Sequence, residues 1–199
     1  MKRFLLRSLF AAFLCPVASL AQTASPATLS VPLTDAVERV LSEVPTRLVK
    51  LRGELLANNP EAVDYESILK LQGADNCFIS VFNTPGDTTA CWKADFPAVD
   101  DFTAAKRLYH DLYESLKNAR ISHLRPGTTY RLDAPYLAAS EEKQSNSIEF
   151  VVTPADEKEF RKIRVQVMML YTLPEWHLSV TIYEKPGELG MASADEDAQ

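Results

Sequence analysis

The chain has 199 residues, 46% hydrophobic and 24% charged, with 27 Asp and Glu against 21 Lys and Arg. That length can bury a real core in one domain, and the acidic balance argues against nucleic acid as a partner, because affinity for phosphate backbones comes from Lys and Arg. The chain has only six glycines and no G-x-S-x-G, H-E-x-x-H, C-x-x-C or glycine-rich phosphate loop, so no motif fixes a reaction, and no cofactor or metal site is expected.

The first stretch, MKRFLLRSLFAAFLCPVASLA, has basic Lys2, Arg3 and Arg7, then an apolar run from Leu9 to Val17, then small residues at Ser19 and Ala21. This is the pattern of a secretory leader over residues 1–21, cut before Gln22. The run is far shorter than the roughly 20 residues of a spanning helix. Cys15 follows a bulky Leu14, which speaks against a lipid anchor there. Cleavage would remove three basic and no acidic residues and leave a net charge of about −9. The expected address is the periplasm or the extracellular space, with no transmembrane segment in the mature chain. Residues 22–32 read as a linker, and the tail 185–199, KPGELGMASADEDAQ, reads as disordered.

Between 34 and 58 the apolar residues Val37, Leu41, Val44, Leu48, Leu51 and Leu55 recur at helical spacing. Thr34 is the expected N-cap. Pro45 lacks a backbone donor, so a kink or break is expected at that point. The period then changes to two. Alternation from Tyr65 to Leu71, then CFISVFN and TTACWKADF, predicts three strands separated by QGADN and TPGD turns.

A second helix is predicted from about Asp101 to Arg120, capped by Asp100 and burying Phe102, Ala105, Tyr109, Leu112, Leu116 and Ala119. The cations Lys117, Arg120, His123 and Arg125 near its end complement the helix dipole. A short strand is expected near Tyr130–Leu132, and a long polar loop over 133–146, of the kind that is functional or mobile in compact domains.

The last third alternates most regularly, in SIEFVVT, RKIRVQVMMLY and EWHLSVTIYEK. Such alternation predicts antiparallel strands with one buried and one wet face. Pairing Tyr171 with Trp176 puts Arg164 opposite Tyr183. Pairing Phe150 with Ile163 puts Glu149 opposite Arg164. The wet face would then carry Glu149, Arg164 and Tyr183 in a row, with Gln166 and Thr181 beside them and His177 on the same side of the last strand. The same row can be plain cross-strand pairing.

The order α-βββ-α-βββ reads as an α+β two-layer sandwich over residues 33–184: an antiparallel sheet of about six strands with two main helices on one face.

Cys77 and Cys91 flank a hairpin, and an oxidising compartment favours a disulfide between them. If Phe78 and Phe82 face the core, both thiols share the outer face and can bridge. If Ile79 and Val81 face the core, with a Thr84–Asp87 turn, no regular hairpin brings them together. The bridge is the expectation.

The leading functional reading is an exported, non-enzymatic binding domain for an unidentified protein or small molecule. One alternative is a hydrolase or lyase using His177 and Glu149, with Ser179 or Tyr183 nearby. Another is a carrier holding a small apolar ligand among Trp92, Trp176, Tyr109, Met168 and Met169.

Overall fold

A computed structural model describes residues 29–84, 87–155 and 158–185. The expected leader and nearly all of the expected tail lie outside these residues. In chain order the elements are β1 (Leu29–Val31), α1 (Leu33–Glu43), β2 (Arg52–Asn58), β3 (Ala62–Ser67), β4 (Leu69–Leu71), β5 (Asn76–Thr84), β6 (Asp87–Asp95), α2 (Phe102–Lys117), β7 (Ile121–Arg125), β8 (Thr128–Asp133), β9 (Ser145–Thr153), α3 (Lys158–Lys162), β10 (Ile163–Thr172) and β11 (Glu175–Glu184). No helix among them is long and apolar enough to cross a membrane.

The six-stranded α+β sandwich is corrected. The protein is mostly β, built on one nine-stranded antiparallel sheet in the order β2-β3-β5-β6-β11-β10-β9-β8-β7. A separate parallel pair, β1 with β4, sits beside it. The residues expected to be a linker therefore include a strand, since Leu29 pairs with Leu69 and Val31 with Leu71. The other strands missing from the expectation are β2 and β7, the two edges of the large sheet. An edge strand has fewer buried neighbours, so its alternation is blunted. In β2, Leu55 and Leu56 are both exposed.

The helix expected over 34–58 breaks at the proline. α1 ends at Glu43, and single 3-10 turns follow over Val44–Thr46 and Val49–Leu51. Arg47 and Leu48 between them take left-handed φ of 55° and 58°, which reverses the chain into β2. Leucine spacing beyond Pro45 thus belongs to a turn and a strand. Gly53 is needed here, because a Cβ on it would sit 3.0 Å from the Glu66 carbonyl oxygen. The N-cap of α1 is Pro32 rather than Thr34, with no side-chain cap.

The second helix lies close to its predicted span, capped by Asp101 instead of Asp100. The Asp101 carboxylate accepts from the Thr103 amide at 2.8 Å. Ala105, Tyr109, Leu112, Tyr113 and Leu116 form its buried stripe, which packs on β10, β11 and β8. α1 packs against β7, β4 and α2 on the same side. Burying each large apolar side chain in this layer contributes about 1.5–3 kcal/mol. The loop after β8 is strapped down. Buried Asn146 accepts from the Ser140 amide at 2.9 Å and donates to the Ser140 carbonyl at 3.1 Å, while Tyr136 packs at a tilt against Tyr113 with ring centres 4.9 Å apart.

The hairpin of β5 and β6 decides the cysteines. Thr84 pairs with Asp87 and Ser80 with Cys91, while Cys77 pairs with Ala94. Ile79, Val81 and Cys77 are buried on the helical side, so Cys91 lies on the outer side. The expected Cys77–Cys91 bridge is therefore corrected: both thiols are free, on opposite faces of one sheet. Cys77 Sγ instead accepts from the Leu71 amide at 3.3 Å. Burial pushes both thiols above their ordinary pKa, Cys91 to about 12. Unreduced protein unfolded in denaturant should titrate both Cys77 and Cys91 as free thiols, and in the native protein both should react slowly. An intact mass two hydrogens short of the free-thiol value would contradict this register.

Candidate binding surface

On the outer face, side chains stand in rows across the sheet, set by strand register. One row runs Val151, Arg164, Tyr183, Cys91, Ser80, Asp64 through β9, β10, β11, β6, β5 and β3. The next runs Glu149, Gln166, Thr181, Lys93, Phe78 and Glu66.

Arg164 opposite Tyr183 follows the expected pairing of Tyr171 with Trp176. The pairing of β9 with β10 differs from expectation: Phe150 faces Val165, so Glu149 lies opposite Gln166, not Arg164. The shift is two residues, which leaves every side chain on its original face. Diagonal neighbours remain within reach of a long side chain. Arg164 Nε donates to Glu149 Oε1 at 3.1 Å, and the Tyr183 hydroxyl donates to Glu149 Oε2 at 2.6 Å. Arg164 Nη1 also donates to the carbonyls of Arg161 at 2.7 Å and Ile163 at 2.8 Å. The guanidinium is thus fixed on two sides, and Arg164 and Tyr183 hold one carboxylate oxygen of Glu149 each.

Burial and the bond to Glu149 push the Tyr183 hydroxyl up to about 12. Its register neighbour Cys91 is held near the same value. Both groups keep their protons at neutral pH, and both oxygens of Glu149 are already engaged. Further along the rows, Ser80 donates to Asp64 at 2.5 Å and Lys93 pairs with Asp95 at 2.8 Å. Sequence reading missed Cys91, Lys93, Ser80 and Asp64 as parts of this face. Their place depends on β6 lying beside β11, a long-range pairing that no local pattern reports.

The surface brings together Glu149, Arg164, Gln166, Thr181 and Tyr183 but leaves out His177. That histidine pairs with Leu170, whereas Glu149 pairs with Gln166 on the far side of β10. Four residues along a strand separate them by roughly 13 Å, with two strand spacings to add. They cannot act as acid–base partners. The other histidines lie elsewhere. His110 is on the solvent side of α2, 3.9 Å from Glu114. His123 is on β7 rather than in a loop, beside Glu38. The residues expected to line an apolar carrier cavity do not form one: Trp92, Tyr109 and Met169 have no exposed surface, and Trp176 is 4% exposed. Ring contacts occupy Trp176 on both sides, from Phe102 and Tyr171.

No protein-family model matches the chain, and neither does any curated protein or solved structure.

Proposed function

We propose that the chain is an exported, non-enzymatic binding module that meets a partner protein through the outer face of its sheet. The contact patch is Glu149, Arg164, Gln166, Thr181 and Tyr183, with Cys91 and Lys93 beside it. The observation that carries this reading is Glu149 held by donors from two neighbouring strands. A polar group fixed in this way loses little freedom on binding, and preorganisation of that kind lowers the cost of association. An open strand face suits a macromolecule, whereas small ligands favour concave sites. Export rests on the leader-like residues 1–21.

A photoactivated crosslinking residue placed at Gln166 or Thr181, in full-length chain expressed with its leader, tests the reading. Adducts are expected from those two positions and not from exposed Arg107 on α2. Glu149→Gln combined with Arg164→Ala should abolish them, and the recovered chain should begin at Gln22. Equal labelling from Arg107, or no adduct from the sheet positions, would overturn the proposal.

A further inference from the structure

The helical side of the molecule carries a groove that the outer-face reading does not use. It lies between the start of α1, the turn after β4, the segment following β6 and one flank of α2. Its volume is about 450 Å³, inside the range typical of small-molecule sites. Leu33, Leu71, Phe96, Val99, Leu108 and Leu112 supply its apolar walls. Leu71, Phe96 and Leu112 are buried parts of the core, while Leu33, Val99 and Leu108 are only half-buried. Leu108 lies outside the fully buried stripe of α2: it packs against the edge of the core and keeps part of its surface on the groove.

Three polar side chains stand among the lining residues: Gln72, Asp111 and Ser115. Asp111 is the one charged residue of that lining, one helical turn beyond Leu108. Its carboxylate lies 3.7 Å from His110 Nδ1, beyond hydrogen-bonding distance. The Ser115 hydroxyl donates to the backbone carbonyl of Asp111 at 2.8 Å and does not engage the carboxylate, which is 65% exposed. An apolar trough with a single carboxylate at its rim disfavours anions and favours a cation on an apolar body. The acidic balance of the whole chain acts in the same direction.

We infer that this groove binds a small amphiphilic amine, its apolar body against Leu108, Leu112 and Val99 and its ammonium at Asp111. The site is independent of the outer sheet face, and the two can fail separately.

The test uses two probes with the same apolar body and opposite charge, phenylbutylamine and phenylbutyrate, titrated into isotope-labelled chain and followed by amide resonances. The amine should shift Leu71, Gln72, Leu108 and Leu112, and the carboxylate should not. Asp111→Asn should weaken the amine by roughly two- to fivefold, the scale of an ion pair at a solvent-exposed carboxylate. Leu108→Gln should weaken it as well, and Glu149→Gln should leave it unchanged. The inference is overturned if the amine shifts none of these resonances, if phenylbutyrate binds as tightly, or if Asp111→Asn has no effect.

Discussion

Replacing Trp92 with alanine should destabilise the protein by about 3–5 kcal/mol, a large part of the 5–15 kcal/mol that holds a typical domain together. Trp92 lies on β6, in the interior of the nine-stranded sheet, with no exposed surface. Its register neighbours are Ile79 on one side and Ile182 on the other, both buried. The ring therefore fills the layer where the two halves of the sheet meet, and its removal leaves a cavity that neighbours on rigid strands cannot close. The indole also has a polar anchor. Trp92 Nε1 donates to buried Ser67 Oγ at 3.1 Å, and that hydroxyl donates in turn to the Leu69 carbonyl at 2.8 Å. Ser67→Ala should cost about 1–3 kcal/mol, the cost of leaving a buried donor without a partner. Urea denaturation monitored by circular dichroism gives both values. A loss below about 1 kcal/mol for Trp92→Ala would show that this layer is not packed as described.

Glu38 should carry the largest single share of the acid sensitivity. Its carboxylate, on α1, accepts from the Ser122 amide at 2.8 Å, the His123 amide at 2.5 Å and His123 Nδ1 at 3.0 Å. Two of these donors are backbone groups at the outer rim of edge strand β7. Burial alone would raise this carboxyl, but the bonds from His123 and Ser122 and the His123 charge outweigh it, and the group lies below the ordinary value of 4.5. A carboxylate depressed in the folded state contributes stability above its unfolded pKa and loses it as pH falls through the folded pKa. Asp35, Arg39 and Ser42 on α1 and His123 on β7 line the space around it. Glu38→Gln should therefore lower stability at pH 7 by roughly 2 kcal/mol, the scale of hydrogen bonds to a charged group. The variant and the parent should converge at pH 3 and below. Urea midpoints at the two pH values measure this, and a deficit that persists undiminished in acid would contradict it. Glu38 also covers amides that another strand could use, so loss of the carboxylate leaves the β7 edge less guarded.

The two edges show what the sequence could and could not convey. The last three strands alternate cleanly because each is flanked on both sides and buried on one face, so their register was readable to within two residues. β2 carries leucines that continue the spacing of α1 past Pro45, and nothing local distinguishes that stripe from a kinked helix. β7 is short and rich in polar residues, and its hydrogen bonds go partly to a helix carboxylate. The cysteines turned on the length of a single turn: one register change in the β5–β6 hairpin moves Cys77 from the face of Cys91 to the core. The Glu149 cluster was half visible. Its members were named from the alternation of three strands, but the contact geometry depended on a diagonal reach across β10. The neighbours Cys91 and Lys93 required knowledge that β6 joins β11.

That same junction governs when the fold can close. The chain runs as a helix and a meander, then a second helix and meander, and the final strand of each meets in the middle of the sheet. Residues 91–95 pair with residues 179–183, so β6 and β10 both keep an open flank until the last of these positions has been synthesised. Long-range closure of this kind is slow compared with local helix formation. A nascent chain therefore stays unclosed through nearly all of its translation, and its two halves can join only once the last strand has left the ribosome.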